Sequence, residues 1–312
     1  MTQLIWNNWL LIALIPPLLY AVVALYDAWF VEQEIFQTAR EATIVSALFG
    51  AIPLILPVVG VVEIRIESGP VSFIAVLSGV LFTLHGYFYI AALLKRNDTV
   101  LAETIQNLSV LFVPIMAFLF IGERLSRMHY AGIFIAGIAV LVMYRVSRPG
   151  RLINLRGCWE LVVSMLLFSV VLVAGDWTYN RTDFWSGFML FTSGVLGTAL
   201  VMYLFGERAR TARLLRQNWR VFLLVEGLTT LGVLCSMRAV DISPSATYVA
   251  ITECLGAYFI LAISLMVFWT YRITGFRAGA LSALCCKQLD DYPGKIAAGV
   301  MVSSGIWLIY GS

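Results

Sequence analysis

The sequence predicts an all-α membrane protein of ten transmembrane helices in a 5+5 inverted-repeat arrangement. Three observations predict it. The 312-residue chain is 61% hydrophobic and 12% charged, more apolar surface than a soluble domain of that length can bury. Ten continuous apolar stretches run through it, most at or above the roughly 17–25 residues that cross hydrocarbon. The stretches also fall into two sets that echo each other. Residues 84–112 match 230–258 at a constant offset of 146, which places Gly86 on Gly232, Thr99 on Ser245 and Ile105 on Ile251. Residues 18–23 match 166–171 at an offset of 148. Two consecutive units with an odd number of spans must lie upside-down to each other, the geometry of alternating-access carriers. The units divide as 1–148 and 149–312.

The spans are expected at 6–30, 43–62, 71–94, 99–121, 127–146, 157–178, 184–205, 219–239, 243–270 and 295–311. The first begins without a basic segment, since no Lys or Arg precedes Arg40, so it stays as a helix and is not a cleaved leader. Pro16, Pro17, Pro53, Pro57 and Pro114 lie inside spans and predict local bends. Asn97 and Asp98 are placed to cap span four, and Ser243 with Pro244 to open span nine. Most connections are short. The exception is an insertion at about 271–294, whose apolar stretch Leu281 to Cys286 reads as a surface or vestibule segment or as a plain solvated loop. Tryptophans near span ends, namely Trp6, Trp9, Trp29, Trp159, Trp185, Trp219 and Trp307, read as interfacial anchors.

Composition excludes several classes. A net charge of +3 is too small to argue for nucleic acid. Continuous apolar runs exclude a transmembrane β-barrel, which would alternate. Five cysteines without C-x-x-C spacing give no metal site or disulfide framework. No nucleotide-binding, zinc-protease or nucleophile-elbow motif is present, so neither an enzyme nor a cofactor is expected, and any work must be driven by gradients. The partners expected are the bilayer, a small-molecule solute and a proton.

Lys and Arg sort by side. Connections 1–2, 3–4, 5–6, 7–8 and 9–10 with their flanks hold 16, and the other side holds 5. The basic side is expected in the cytoplasm of a bacterial inner membrane, which puts both termini outside.

The stretch from Tyr89 to Met143 carries Ala-Ala-Leu-Leu-Lys-Arg-Asn-Asp, a span with Pro114, the corner Phe-Ile-Gly-Glu-Arg-Leu-Ser at 120–126, and a helix with Gly132 and Gly137. It resembles the second half of an EamA repeat, in the drug/metabolite transporter superfamily. The second copy matches from Met237 to Phe268, with Gly299 and Gly305 in span ten, but lacks the Gly-Glu corner. The resemblance implies a ten-helix carrier in which spans one to four and six to nine enclose a central cavity, with five and ten at the periphery. Many members carry both termini in the cytoplasm, and the charge count reverses that for this chain.

Polar groups inside the spans mark the candidate site, because ionisable groups in hydrocarbon face a cavity or a partner. Thr99, Glu103, Gln106 and Asn107 share one face of span four at helical spacing. The 146 offset sets Gln106 on Thr252 and Asn107 on Glu253, and span nine adds Ser245 and Tyr248. Matched polar helices predict a midplane site, against the alternative of hydrogen bonds gluing the bundle. His85 and Glu226 are candidates for proton coupling, His85 against the alternative of a neutral core histidine. Glu160 reads as an interfacial partner of Arg156. Arg238 is a gate candidate, neutralised by Asp241 or Glu253 or reserved for an anionic solute. Asp27 and Asp176 read as solvated helix ends or gates. Gly122, Glu123 and Arg124 form a structural corner, and no metal ligands are expected. The glycine faces of spans five and ten suit a homodimer or packing within the monomer equally. The sequence therefore points to a secondary active transporter of a small organic solute (amino acid, amine or other metabolite), with a lipid-linked sugar or phosphate flippase and a non-transporting subunit as alternatives.

Overall fold

A computed structural model describes residues 6–65, 69–96, 99–147, 158–206, 208–274, 285, 289 and 292–310. Among them, nine helices are long and apolar enough to cross a membrane. They are span one (Trp9–Glu32), two (Ala39–Val58), three (Gly69–Lys95), four (Ala102–Ile121), five (Arg127–Val146), six (Trp159–Tyr179), seven (Phe184–Leu204), eight (Arg208–Ile242) and nine (Ala246–Thr270). A tenth apolar helix, Pro293–Ile309, is shorter and stands where span ten was expected. The chain is an integral multi-pass membrane protein. The expected caps Asn97 and Asp98, the arginines Arg151 and Arg156, and most of the 281–286 stretch lie outside the described residues.

Local chemistry sets the ends. Asn8 opens span one by accepting from the Leu10 and Leu11 amides at 3.1 and 3.2 Å. Pro16 and Pro17 sit in the first turn of the helix Ile15–Glu32, where a missing N–H costs little. Thr38 and Glu41 form a reciprocal capping box at the start of span two. Glu41 also pairs with Arg210 of span eight at 2.8 Å, tying the two helices together. Gly122 ends span four at φ +73°, a left-handed cap that spares the chain a Cβ clash.

The structure corrects three expected boundaries. The regular helix of span two stops at Gly50 and continues as the 3₁₀ turn Ile52–Leu54 and the short Ile55–Val58. Pro53 and Pro57 remove donors and constrain the residues before them. Span eight begins at Arg208 and not near 219, because the Arg- and Leu-rich connection is itself helical. Its 35 residues reach about 52 Å, well beyond a hydrocarbon core of roughly 30 Å, so the arginine-bearing turns project past the apolar layer. Span nine is capped by Ser245, which accepts from the Thr247 amide at 3.0 Å. Ser243 ends span eight instead, with its amide on the Ala239 carbonyl.

Helix packing shows a regular exchange. Span one packs on eight as six packs on three, one on nine as six on four, and two on eight as seven on three. Two on seven, four on nine and five on ten complete the set, each mapping onto itself when the count shifts by five. Glycines set the closest approaches. A Cβ on Gly79 would stand 1.9 Å from the Phe191 carbonyl oxygen, and one on Gly194 would stand 2.1 Å from that of Val76. Spans three and seven therefore touch backbone to backbone. Gly132 and Gly305 do the same between five and ten, where each Cβ would meet the other's carbonyl oxygen at 2.7 Å. Gly137 faces Leu111 and Gly299 faces Tyr258, so all four of these glycines face their own chain.

Gly194→Ala should destabilise the bundle by about 1–3 kcal/mol, since no flexible side chain can yield to the new methyl. Gly197→Ala, three residues away with nothing within 4 Å, should leave stability unchanged. Thermal unfolding of the two variants in detergent checks the contrast, and equal melting temperatures would refute the backbone contact.

Candidate functional site

The polar stripe of span four ends at a break. The span is two helices, Thr99–Asn107 and Ser109–Ile121, joined at Leu108. Span nine is likewise Ala246–Glu253 and Gly256–Thr274, joined at Cys254 and Leu255. The 146 offset sets Leu108 on Cys254, so the two breaks are equivalent positions. Both tighten locally: Leu111 N bonds Leu108 O, and Leu255 N bonds Thr252 O, each at 3.0 Å and each an i→i+3 step. The breaks meet, and the Cys254 thiol donates to the Asn107 carbonyl at 3.5 Å. Neither break lies at a proline. Gln106–Asn107 and Thr252–Glu253, the polar pairs singled out from the sequence, immediately precede them.

A cavity of about 220 Å³ lies beside the breaks, lined by spans one to four, six, eight and nine. Spans five and ten contribute nothing to it and pack on each other. It runs from Pro17 and Phe168 to Val31, Phe36 and Leu94, towards the end where the arginine-rich connections lie. Asp27, His85, Glu103, Gln106, Asn107, Glu226 and Glu253 all line it.

Each of three carboxylates is held by one hydroxyl. Tyr89 donates to Glu103 at 2.5 Å, Ser46 to Glu226 at 2.6 Å and Ser236 to Glu253 at 2.9 Å. These hydroxyls were missed in the sequence, where nothing distinguishes them from other small or aromatic span residues. Asp27 makes no hydrogen bond or ion pair among the described residues. It lies five residues inside the helix Ile15–Glu32, so it lines the cavity and is not a solvated helix end. It is within electrostatic reach of Glu103 and Glu226, as Glu253 is of Glu103. His85 is tied to span six: its Nδ1 lies 3.1 Å from the Ser164 carbonyl and 2.8 Å from the Ser164 hydroxyl. That hydroxyl also reaches Gln106 Oε1 at 3.3 Å, while Gln106 Nε2 is buried without a partner among the described residues.

Tyr248, Thr252, Arg238 and Asp176 stand outside the cavity. Thr252 is buried and donates to the Val249 carbonyl at 2.7 Å. The other three lie at the opposite end, which is packed shut. There Trp6 meets Phe184 and Trp185 at centroid distances of 6.1 and 6.4 Å, and Trp9 meets Tyr248 at 5.9 Å. Arg238 ion-pairs with Asp241, not with Glu253, and its guanidinium lies over Trp6 and Phe184 at 5.3 and 5.4 Å. Tyr248 hydroxyl lies 3.1 Å from His129 Nδ1. Asp176 accepts from Asn180 at 2.8 Å. At the corner, burial raises the Glu123 carboxyl above its ordinary value, with a Ser245 hydrogen bond and nearby His129 pulling it back. Glu123 thus joins the end of span four to the start of span nine. Glu160 pairs with Lys95 of span three. Among the described residues no group of three or more His, Cys, Asp or Glu is placed to hold a metal ion.

A solved crystal structure resembles this fold along its length, with a TM-score of 0.63 over 97% of this chain and 98% of that one, at 16% identity. No curated protein sequence matches the chain. The sequence model of the EamA-like transporter family matches residues 7–145. Those residues, which span the first five helices, are therefore similar to the EamA-like transporter family, one of the families of the drug/metabolite transporter superfamily.

Proposed function

We propose that the protein is a secondary active transporter that moves a small organic solute by alternating access. The observation that carries the reading is the polar cavity beside the matched breaks of spans four and nine. Unwound backbone at membrane depth is tolerated where it lines a cavity, and broken helices are where carriers hold their cargo. One end of the passage is packed shut by aromatic rings while the cavity reaches towards the other, as a carrier caught on one side of its cycle requires. Residues 1–148 and 149–312 act as two inverted five-helix units, a division supported by the exchange of packing partners under a shift of five. Glu103, Gln106, Asn107 and Glu253 bind solute or proton, and Glu226 and His85 assist proton coupling. Arg238 latches the closed end. With Arg238 paired to Asp241, no Lys or Arg among the described residues lines the cavity as a phosphate-flipping reading needs, and an open centre gives no support to a purely structural subunit.

Three outcomes are expected. Glu253→Gln should abolish uptake or efflux in reconstituted liposomes while thermal unfolding stays cooperative; unchanged transport would remove Glu253 from the site. Arg238→Ala should loosen the shut end and raise hydrogen exchange across residues 239–248, and undiminished protection there would discount the latch. With the basic connections placed in the cytoplasm, a C-terminal tag should be reached by reagents from outside intact cells. A tag reached only after permeabilisation would invert the topology.

A further inference from the structure

The charge on the cavity wall is one-sided. Spans one, four, eight and nine contribute Asp27, Glu103, Glu226 and Glu253, and no Lys or Arg lines the cavity among the described residues. The remaining titratable groups facing it are His85 and Tyr89 of span three and Tyr20 of span one. Lys295 lies in an adjoining pocket that shares Glu103 and Asn107, and it is not without a partner. Setting its charge against Glu103 still leaves Asp27, Glu226 and Glu253. Elsewhere three described acids are ion-paired: Glu41 has Arg210, Glu160 has Lys95 and Asp241 has Arg238. Glu103, Glu226 and Glu253 each have one hydroxyl on one oxygen, and Asp27 has no hydrogen bond among the described residues.

A second observation is independent of the acids. Asn107 is only 8% exposed, lines the cavity, and its side chain makes no hydrogen bond among the described residues. A buried amide without a partner is a group awaiting a ligand. Between the acids the wall is apolar and aromatic, with Phe82 and Phe168 at mid-depth and Phe30 and Phe36 nearer the mouth. Four carboxylates this close together in a poorly screened space cannot all stay ionised, so protons or a cation must be present.

We infer that the solute is a monovalent organic cation with an apolar, aromatic-sized body, bound among Asp27, Glu103, Glu226 and Glu253 and exchanged for protons. This rests on the carrier reading above. The ammonium head takes the place of a carboxyl proton, the apolar body lies against the phenyl rings, and Asn107 bonds a polar substituent. Each cation that enters releases at least one proton to the side it came from, and each proton that returns ejects the cation. Anions are refused because four carboxylates repel them and no Lys or Arg among the described residues lines the cavity to meet them.

Three probes of similar size separate the possibilities: benzyltrimethylammonium as cation, benzenesulfonate as anion and phenylalanine as zwitterion. With the purified full chain in proteoliposomes, the cation should accumulate in acid-interior vesicles and the other two should not. Calorimetry in detergent should show proton release on cation binding, and affinity about tenfold weaker at pH ~5.5 than at pH ~8.5. Asp27→Asn, which breaks no described hydrogen bond, and Glu226→Gln should each cut accumulation about tenfold. A cooperative melting transition for both variants shows that they fold. Carriage of phenylalanine or benzenesulfonate with exclusion of the cation would overturn the inference and leave the carrier reading standing. Failure of folded protein to bind any member of a panel of primary, tertiary and quaternary aromatic amines would also overturn it. Failure to move any solute of any charge would overturn both.

Discussion

In a bilayer every main-chain hydrogen bond has to be made within the protein, and the two places where this chain relaxes that requirement organise everything around them. At Leu108 and at Cys254–Leu255 the helical ladder tightens and stops. In contact with lipid such a gap would be costly. Here the gaps face one another and an internal space, so polar side chains can gather beside them. Asn107 and Glu253, the last residues before each break, are there for that reason. The carboxylates of Asp27 on span one and Glu226 on span eight line the same space.

Much of the fold is legible in the residues. Span positions follow from run length, because only an uninterrupted apolar stretch can cross hydrocarbon. Glu103, Asn107 and Glu253 were legible too, as charge or amide in such a stretch is expensive anywhere but a cavity. What was not legible depends on tertiary contact. Tyr89, Ser46 and Ser236 are ordinary span residues until a carboxylate arrives opposite. Ser243 looked the better cap, preceding a proline, yet the turn between spans eight and nine gives the role to Ser245. Asp27 looked like a helix-end residue because the end of its helix could not be fixed, and five further residues put it inside the cavity.

Charge is distributed by depth. The described ion pairs stand towards the ends of helices: Lys95 with Glu160 and Arg210 with Glu41 at one end, Arg238 with Asp241 at the other. Such pairs are partly hydrated and each contributes little on its own, roughly 0–1 kcal/mol where exposed. Among the described residues Asp27, Glu226 and Glu253 have no ion-pair partner, which is destabilising for the empty protein and is what the proposed cation site needs. Spans five and ten, joined through Gly132 and Gly305, stay out of this arrangement and brace the bundle from the side.

Span eight is one unbroken rod from Arg208 to Ile242. It carries Arg210 near one tip, Arg238 near the other and Glu226 between them. A stiff rod pivoting near its middle swings its tips in opposite directions: a tilt of about 10° would shift them by roughly 4–5 Å each. That is enough to part a contact at one tip while pressing the other tip against its neighbours. In the carrier proposed above, the two entrances would thus be joined mechanically, as the ends of a seesaw are, and a passage built on this beam would resist standing open at both ends at once.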